Sequence, residues 1–265
     1  MVSRRILEVG LLFFLLFNLE KAYSYTYTSD FTTGYYWQTL PINFQLFVVD
    51  DSDGPLLEQV VDESIAEWNT ASGYTIWTAK AGYSTATASG NFIRWSENFG
   101  AETGFDEKTV IAITIRYQSG TYIYKSEIIL NGTMSFLKAN QNNALKTTVL
   151  HEIGHTLGLG HSADSTAIMA PYLSSIDELQ DDDVSGINAL LTDTLTRQRT
   201  GYVASVVSSN SSSTSGQQQG TAFSCATVDM DQKGPPGGGL VLIAIGFLIT
   251  LLGGSFFQGE VRLRR

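Results

Sequence analysis

A single cysteine, Cys225, is all that the 265 residues contain, so no intramolecular disulfide can staple the fold. Basic residues are also few: 16 Lys and Arg stand against 26 Asp and Glu, a formal net charge of −10 at pH 7. That balance argues against nucleic acid or an anionic lipid surface as a partner of the folded part. There is no internal repeat, which sets aside solenoid and array architectures. Histidine is scarcer than any charged residue, with three in the chain. All three lie between residues 151 and 161, so the imidazole chemistry of this protein is concentrated in one short segment.

Pronounced apolar runs stand near the two ends, and only the second nears membrane length. Residues 11–17 follow Arg4 and Arg5 and precede Ala22-Tyr23-Ser24, a small-x-small cleavage site, so residues 1–24 read as a secretion signal. Residues 240–257 are almost continuously apolar and near spanning length, and the basic tail 258–265 behind them carries Arg262, Arg264 and Arg265. The positive-inside rule keeps such a tail cytoplasmic and everything before it outside. Residues 201–239 include a Ser/Gln/Gly tract with too little apolar content for a core, which reads as a flexible stalk. What remains, residues 25–200, suffices for one compact domain. The expected location is extracellular or at the cell surface, with the C-terminal segment anchoring the chain in a membrane at least transiently. Cys225, in FSCATVDMDQKGPPGGG between stalk and anchor, completes an arrangement that resembles bacterial C-terminal sorting signals. A sorting protease acting near Cys225 is then an expected partner, and a plain membrane anchor is the alternative.

Within the domain, Ile42, Phe44, Leu46 and Val48 alternate as in a strand with one apolar face. Asp53-Gly54-Pro55 opens a helix with Leu57, Val60, Val61, Ile65 and Trp68 at helical spacing. Four further strands are predicted at 74–78, 92–95, 109–117 and 123–130, rich in β-branched and aromatic residues. A helix beginning near Asn143 carries Leu145, Val149, Ile153 and Leu157 on its buried side, and a last helix contains Ile176, Leu179, Val184, Ile187 and Leu191.

The chemistry lies in HEIGHTLGLGH at 151–161. On a helix, His151 and His155 are one turn apart and share a face, with Glu152 beside the first. Gly158 can end the helix and turn the chain back, so that His161 becomes a third ligand from outside it. At average residue frequencies such a constellation arises by chance in roughly one chain in 10⁵ of this length. Three neutral nitrogens leave most of a zinc ion's charge uncompensated and its fourth position open, so a bound water is acidified to a pKa of about 7. Glu152 is placed to act as general base on that water.

This motif, followed by Met169 and by Pro171, resembles the metzincin zinc peptidases with their Met-turn, and within them the matrixin branch. Ser162 and Asp164 fit that branch; Ala170, where matrixins usually carry an aromatic, and Tyr172, adjacent to the proline rather than two residues beyond it, depart from it. The resemblance covers roughly residues 35–192. It implies an α+β, sandwich-like metzincin catalytic domain: a twisted five-stranded mixed sheet with helices, an active-site helix and a Met-turn. It implies one catalytic Zn2+ on His151, His155 and His161, Met169 packed beneath them, Pro171 and Tyr172 walling a substrate pocket, and strand 109–117 as an antiparallel edge lining the cleft. An exposed edge can pair with an extended peptide, which makes a protein or peptide the expected substrate.

Asp164 is expected to brace the loop after His161, and Asp181, Asp182 and Asp183 to form a solvated run that supports a helix, although they also resemble the paired aspartates in the last helix of matrixins. Asp50-Asp51-Ser52-Asp53-Gly54 is a fragment of a calcium loop without its twelfth-position glutamate, so Ca2+ is not assigned there or elsewhere. Animal matrixins are held inactive by a propeptide cysteine, yet here no cysteine precedes the domain and residues 25–38 are too few for a folded prodomain. Activity on export and metallation, as a monomer, is the expectation. The competing readings are a noncatalytic, zinc-stabilised surface module that binds peptides, and hydrolysis of a nonpeptide bond. A structural zinc site gains nothing from a carboxylate at the open position, so Glu152 favours catalysis.

Overall fold

The computed structural model describes residues 23–85 and 89–204, and the backbone of Ala222–Val228. Strands β1 (Tyr36–Trp37), β2 (Ile42–Phe47), β3 (Trp77–Ser84), β4 (Asn91–Ser96), β5 (Val110–Ser119), β6 (Tyr122–Asn131) and β7 (Ala222–Val228) form one sheet in the order β3-β2-β4-β6-β5-β7, with β1 paired to β6. All pairings are parallel except those of β5 with β6 and with β7. The β5–β6 reversal is made by Gly120, whose φ of +60° suits a residue without a Cβ. The helices are α1 (Ser29–Thr33), α2 (Gly54–Ser72), α3 (Phe99–Thr103), α4 (Ser135–Lys138), α5 (Ala144–Leu157) and α6 (Asp181–Thr200).

Period-two patterning fixes how the sheet is covered. Ile42, Phe44 and Leu46 of β2 are buried and join the principal core with Leu57, Val60, Val61, Ile65 and Trp68 of α2 and Leu145, Val149, Ile153 and Leu157 of α5. Val110, Ile113 and Ile129 belong to a smaller cluster that Phe99 of α3 closes. The result is the α+β sandwich expected from the sequence, with β1 and β7 added to the five predicted strands. Three tryptophans are tied to α5 or to the residue that ends its third turn: Trp37 Nε1 donates to the Thr156 carbonyl at 2.7 Å, Trp68 Nε1 to the Leu150 carbonyl at 2.9 Å, and Trp77 Nε1 to Thr156 Oγ1 at 2.8 Å. Each large apolar surface thereby buries its one donor at no cost in unsatisfied polarity.

Four details differ from the sequence reading. The strand expected at 74–78 begins at Trp77, because Asn69 binds the chain as it leaves α2: its Oδ1 accepts from Ile76 N and Trp77 N, and its Nδ2 donates to the Trp77 carbonyl. The last helix begins at Asp181, after Ile176 and Leu179, because Gln180 and Asp183 form a reciprocal capping box. The run 109–117 is antiparallel as expected but is not an edge among the described residues. Ala222–Val228, within the segment read as stalk, pairs along it as a strand. Residues 1–22 of the expected signal 1–24, and the anchor and tail 240–265, lie outside the described residues, whereas Ser24, placed in that signal, is bonded to Asp182 of α6. No helix among the described residues is long and apolar enough to cross a membrane.

Candidate metal centre

Asparagines launch the helix that carries the site. Asn140, Asn142 and Asn143 all have positive φ, and Asn140 Oδ1 caps α5 by accepting from Leu145 N at 2.9 Å and Lys146 N at 3.2 Å. The helix stops at Gly158, where φ is +131° and an added Cβ would lie 3.1 Å from Phe31. Both the torsion and the space require glycine there. The chain then runs back antiparallel to an N-terminal strap of residues 24–28: Thr28 N donates to the Gly158 carbonyl and Gly160 N to the Thr26 carbonyl, each at 2.8 Å. Thr26 Oγ1 donates to the carbonyl of His161 at 2.8 Å. These bonds set the bend that delivers the third imidazole.

His151, His155 and His161 converge, with one ring nitrogen of each lying within 4.8 Å of the others. The Nδ1 of His151 meets the Ile168 carbonyl and that of His155 the Leu159 carbonyl, both at 2.7 Å. A carbonyl only accepts, so each Nδ1 carries its proton and each Nε2 presents a lone pair. Those two Nε2 atoms are buried without a hydrogen-bond partner in the protein. Two orphaned acceptors beside a third imidazole are a costly arrangement for a plain core, and a fitting one for a zinc ion with Zn–N bonds of about 2.0–2.1 Å. Burial pushes His151 down to about 3, reinforced by the like charge of His161 and opposed by the Ile168 carbonyl. Burial holds His155 well below its ordinary range and takes His161 to about 4. All three rings are neutral at neutral pH, the state that binds metal.

Glu152 is fully buried next to the first ligand, and Thr114 of β5 donates its hydroxyl to Glu152 Oε2 at 2.6 Å. Met169 is buried with its sulfur against Gly154 of α5, where an added Cβ would come within 2.6 Å of Sδ. It packs against α5. Asp164 braces its loop as expected: Oδ1 accepts from Thr166 N at 2.8 Å and from Thr166 Oγ1 at 2.7 Å. Pro171 is half-buried and Tyr172 is exposed, directly after the Met-turn.

Several supports were missed or misread in the sequence. Asp182 and Asp183 are buried, not solvated. Asp183 accepts from Ile168 N and Met169 N, each at 2.9 Å, and so holds the Met-turn; Asp182 accepts from Ser162 Oγ at 2.7 Å and from the backbone N–H groups of Ser24 and Tyr25. Burial pushes the Asp183 carboxyl up, against the pull of its backbone donors. Arg116 of β5 is buried with its Nε 2.7 Å from Asp30 Oδ2, and its Nη1 donates to the His155 carbonyl at 2.7 Å. Burial works against the charge on Asp30, but the guanidinium holds its carboxyl below the ordinary range. An arginine inside the apolar run VIAITIRYQS was the available clue to this buried pair.

A mixed sheet packed on a helix that bears two of three converging imidazoles and an adjacent carboxylate defines an α+β class with a candidate metal centre. The family model for matrixin matches residues 38–192, and the chain belongs to the matrixin family. Matrixins are zinc-dependent metalloendopeptidases. Among curated relatives, the chain is similar to matrix metalloproteinase-19 of Mus musculus, 27% identical over 161 residues that cover 58% of this chain and 29% of the relative. It is 44% identical over 68 residues to metalloendoproteinase 5-MMP of Arabidopsis thaliana, covering 24% of this chain and 19% of that protein. Over 55 residues it is 42% identical to matrix metalloproteinase-16 of Homo sapiens, covering 19% and 9%. The chain thus spans less than a third of the length of each of these relatives.

Proposed function

We propose that this chain is an exported, surface-anchored zinc endopeptidase in which His151, His155 and His161 hold the metal and Glu152 is the general base. The observation that carries the reading is the pair of buried, unpartnered Nε2 atoms facing a third imidazole, with a carboxylate beside them. Zinc, when bound there, supplies Lewis acidity toward water and a substrate carbonyl. Glu152 takes a proton from water as its oxygen attacks the peptide carbonyl carbon, and delivers that proton to the leaving amine nitrogen. Thr114 fixes the carboxylate for both transfers through its bond to Oε2. Arg116 and the strap fix the ligand segment from behind. The edge of β5 that Ala222–Val228 occupies would pair with the extended substrate once that segment is displaced, and Pro171 and Tyr172 wall the pocket for the side chain after the scissile bond. Arg4 and Arg5 ahead of the apolar run 11–17, and the apolar segment 240–257, support export and anchoring, and the arrangement around Cys225 supports recognition by a sorting protease.

The test compares the zinc-loaded chain with Glu152→Ala at equal zinc content on a broad peptide library. A loss of kcat/KM of about 10²–10⁴-fold is expected for the variant. Equal cleavage by both proteins removes Glu152 from the chemistry, and cleavage by neither after prolonged incubation removes the endopeptidase.

A further inference from the structure

The β5 strand has two edges, and both are used. Strand β6 takes one, from Ala112 opposite Leu130 to Ser119 opposite Tyr122. Strand β7 takes the other, antiparallel, from Val110 opposite Val228 to Tyr117 opposite Ala222. The register sets Cys225 opposite Thr114, the residue whose hydroxyl holds Glu152. Cα atoms of β7 and of the ligand helix α5 come within 8 Å of each other. The C-terminal strand therefore runs along the stretch of sheet nearest the candidate base. A strand edge accepts one partner at a time, because each outward N–H and C=O is spent in the ladder.

We propose that Ala222–Val228 is an autoinhibitory strand: a segment of this chain that occupies the peptide-pairing edge of β5 and must be displaced before a peptide substrate can align at the metal centre. The proposal rests on the reading of β5 as the substrate edge. The composition suits the role, since Ala222–Val228 contains Phe223, Thr227 and Val228, residues at home in a strand. Residues 205–221 connect it to the domain, and a Ser/Gln/Gly tether of that length maintains a local concentration on the order of millimolar. Seven residues of backbone pairing are weak between free molecules, yet against such a concentration a dilute substrate competes poorly. Anything that pulls on or captures the chain after residue 228 would free the edge, as would a cut within residues 205–221. Activity would then answer to the state of the C-terminal region.

The test uses the full zinc-loaded chain with Phe223→Pro and Ala226→Pro together. These positions differ in parity, so at least one ladder donor toward β5 is lost. A second chain with Ser211→Pro and Thr214→Pro, in the tether, is the control. Removing the strand should raise kcat/KM on the best library peptide about tenfold, with the control unchanged. Separately from turnover, a fluorescent synthetic peptide spanning residues 221–229 should bind the strand variant at least tenfold more tightly than the unmodified chain. Equal peptide binding by both overturns the proposal, as does Glu152-dependent cleavage within residues 222–228 of the unmodified chain, which would make the segment a substrate. In the unmodified chain, amide exchange of residues 222–228 should accelerate when isotopically heavy 221–229 peptide is added at millimolar concentration; unchanged exchange counts against it whether or not the proline variant folds. If neither protein cleaves the library but the binding difference holds, the endopeptidase reading fails and the occupied edge stands.

Discussion

Gly158 carries more of the site than its size suggests. A side chain there meets a φ of +131° and the ring of Phe31 at 3.1 Å. Gly158→Ala is expected to cost about 1–3 kcal/mol of stability, read by urea unfolding, and to weaken zinc binding because His161 leaves the bend. A variant with unchanged unfolding midpoint and zinc affinity would refute the role given to that turn. The convergence of the three histidines and the bend at this glycine were legible in the sequence because their spacing alone encodes the geometry: one helical turn, then a bend. Thr114 was not legible. A threonine in an apolar strand is ordinary, and only the crossing of β5 under α5 brings its hydroxyl to Glu152.

At the scale of elements, the strands and the two long helices that pack on the sheet were readable from period, since burial follows pattern in β2 and α2. Element ends were shifted by local side chains, Asn69 and the Gln180–Asp183 capping box, whereas the misread acidic residues act across long sequence separation. Asp182 and Asp183 resemble a solvated acidic turn of helix until α6 is docked, when they become acceptors for the Met-turn and the strap. The same holds for Asp30 and Arg116, which join α1 to β5 and, through the His155 carbonyl, to the ligand helix. Asp30→Ala leaves a buried guanidinium without its carboxylate and is expected to destabilise the fold by about 3–5 kcal/mol in chemical denaturation. A loss under about 1 kcal/mol would mean that water or another carboxylate replaces Asp30, and that the pair is not what secures the strap.

For the whole molecule, the neutral histidines set a pH dependence. Their ordinary value is 6.5, whereas burial takes His151 to about 3 and His161 to about 4. As pH falls below about 6.5 the unfolded chain takes up protons that the folded one refuses, so the metal-free protein is most stable above that value and weakens steadily as pH drops toward 4. The slope approaches roughly 1.4 kcal/mol per pH unit for each histidine. The lowered Asp30 acts only below its ordinary 3.8, and the raised Asp183 opposes the trend. Thermal melts of the metal-free chain between pH 7.5 and 4.5 should show a falling Tm, and a flat profile would place the three rings in water. The strap has a consequence in time as well. Residues 24–28 are made first, His161 much later, and Asp182, which grips both the strap and the loop after His161, later still. A chain made from its N-terminus cannot assemble its trio of imidazoles until His161 and then Asp182 exist, so the order of synthesis itself delays the site until most of the domain is present.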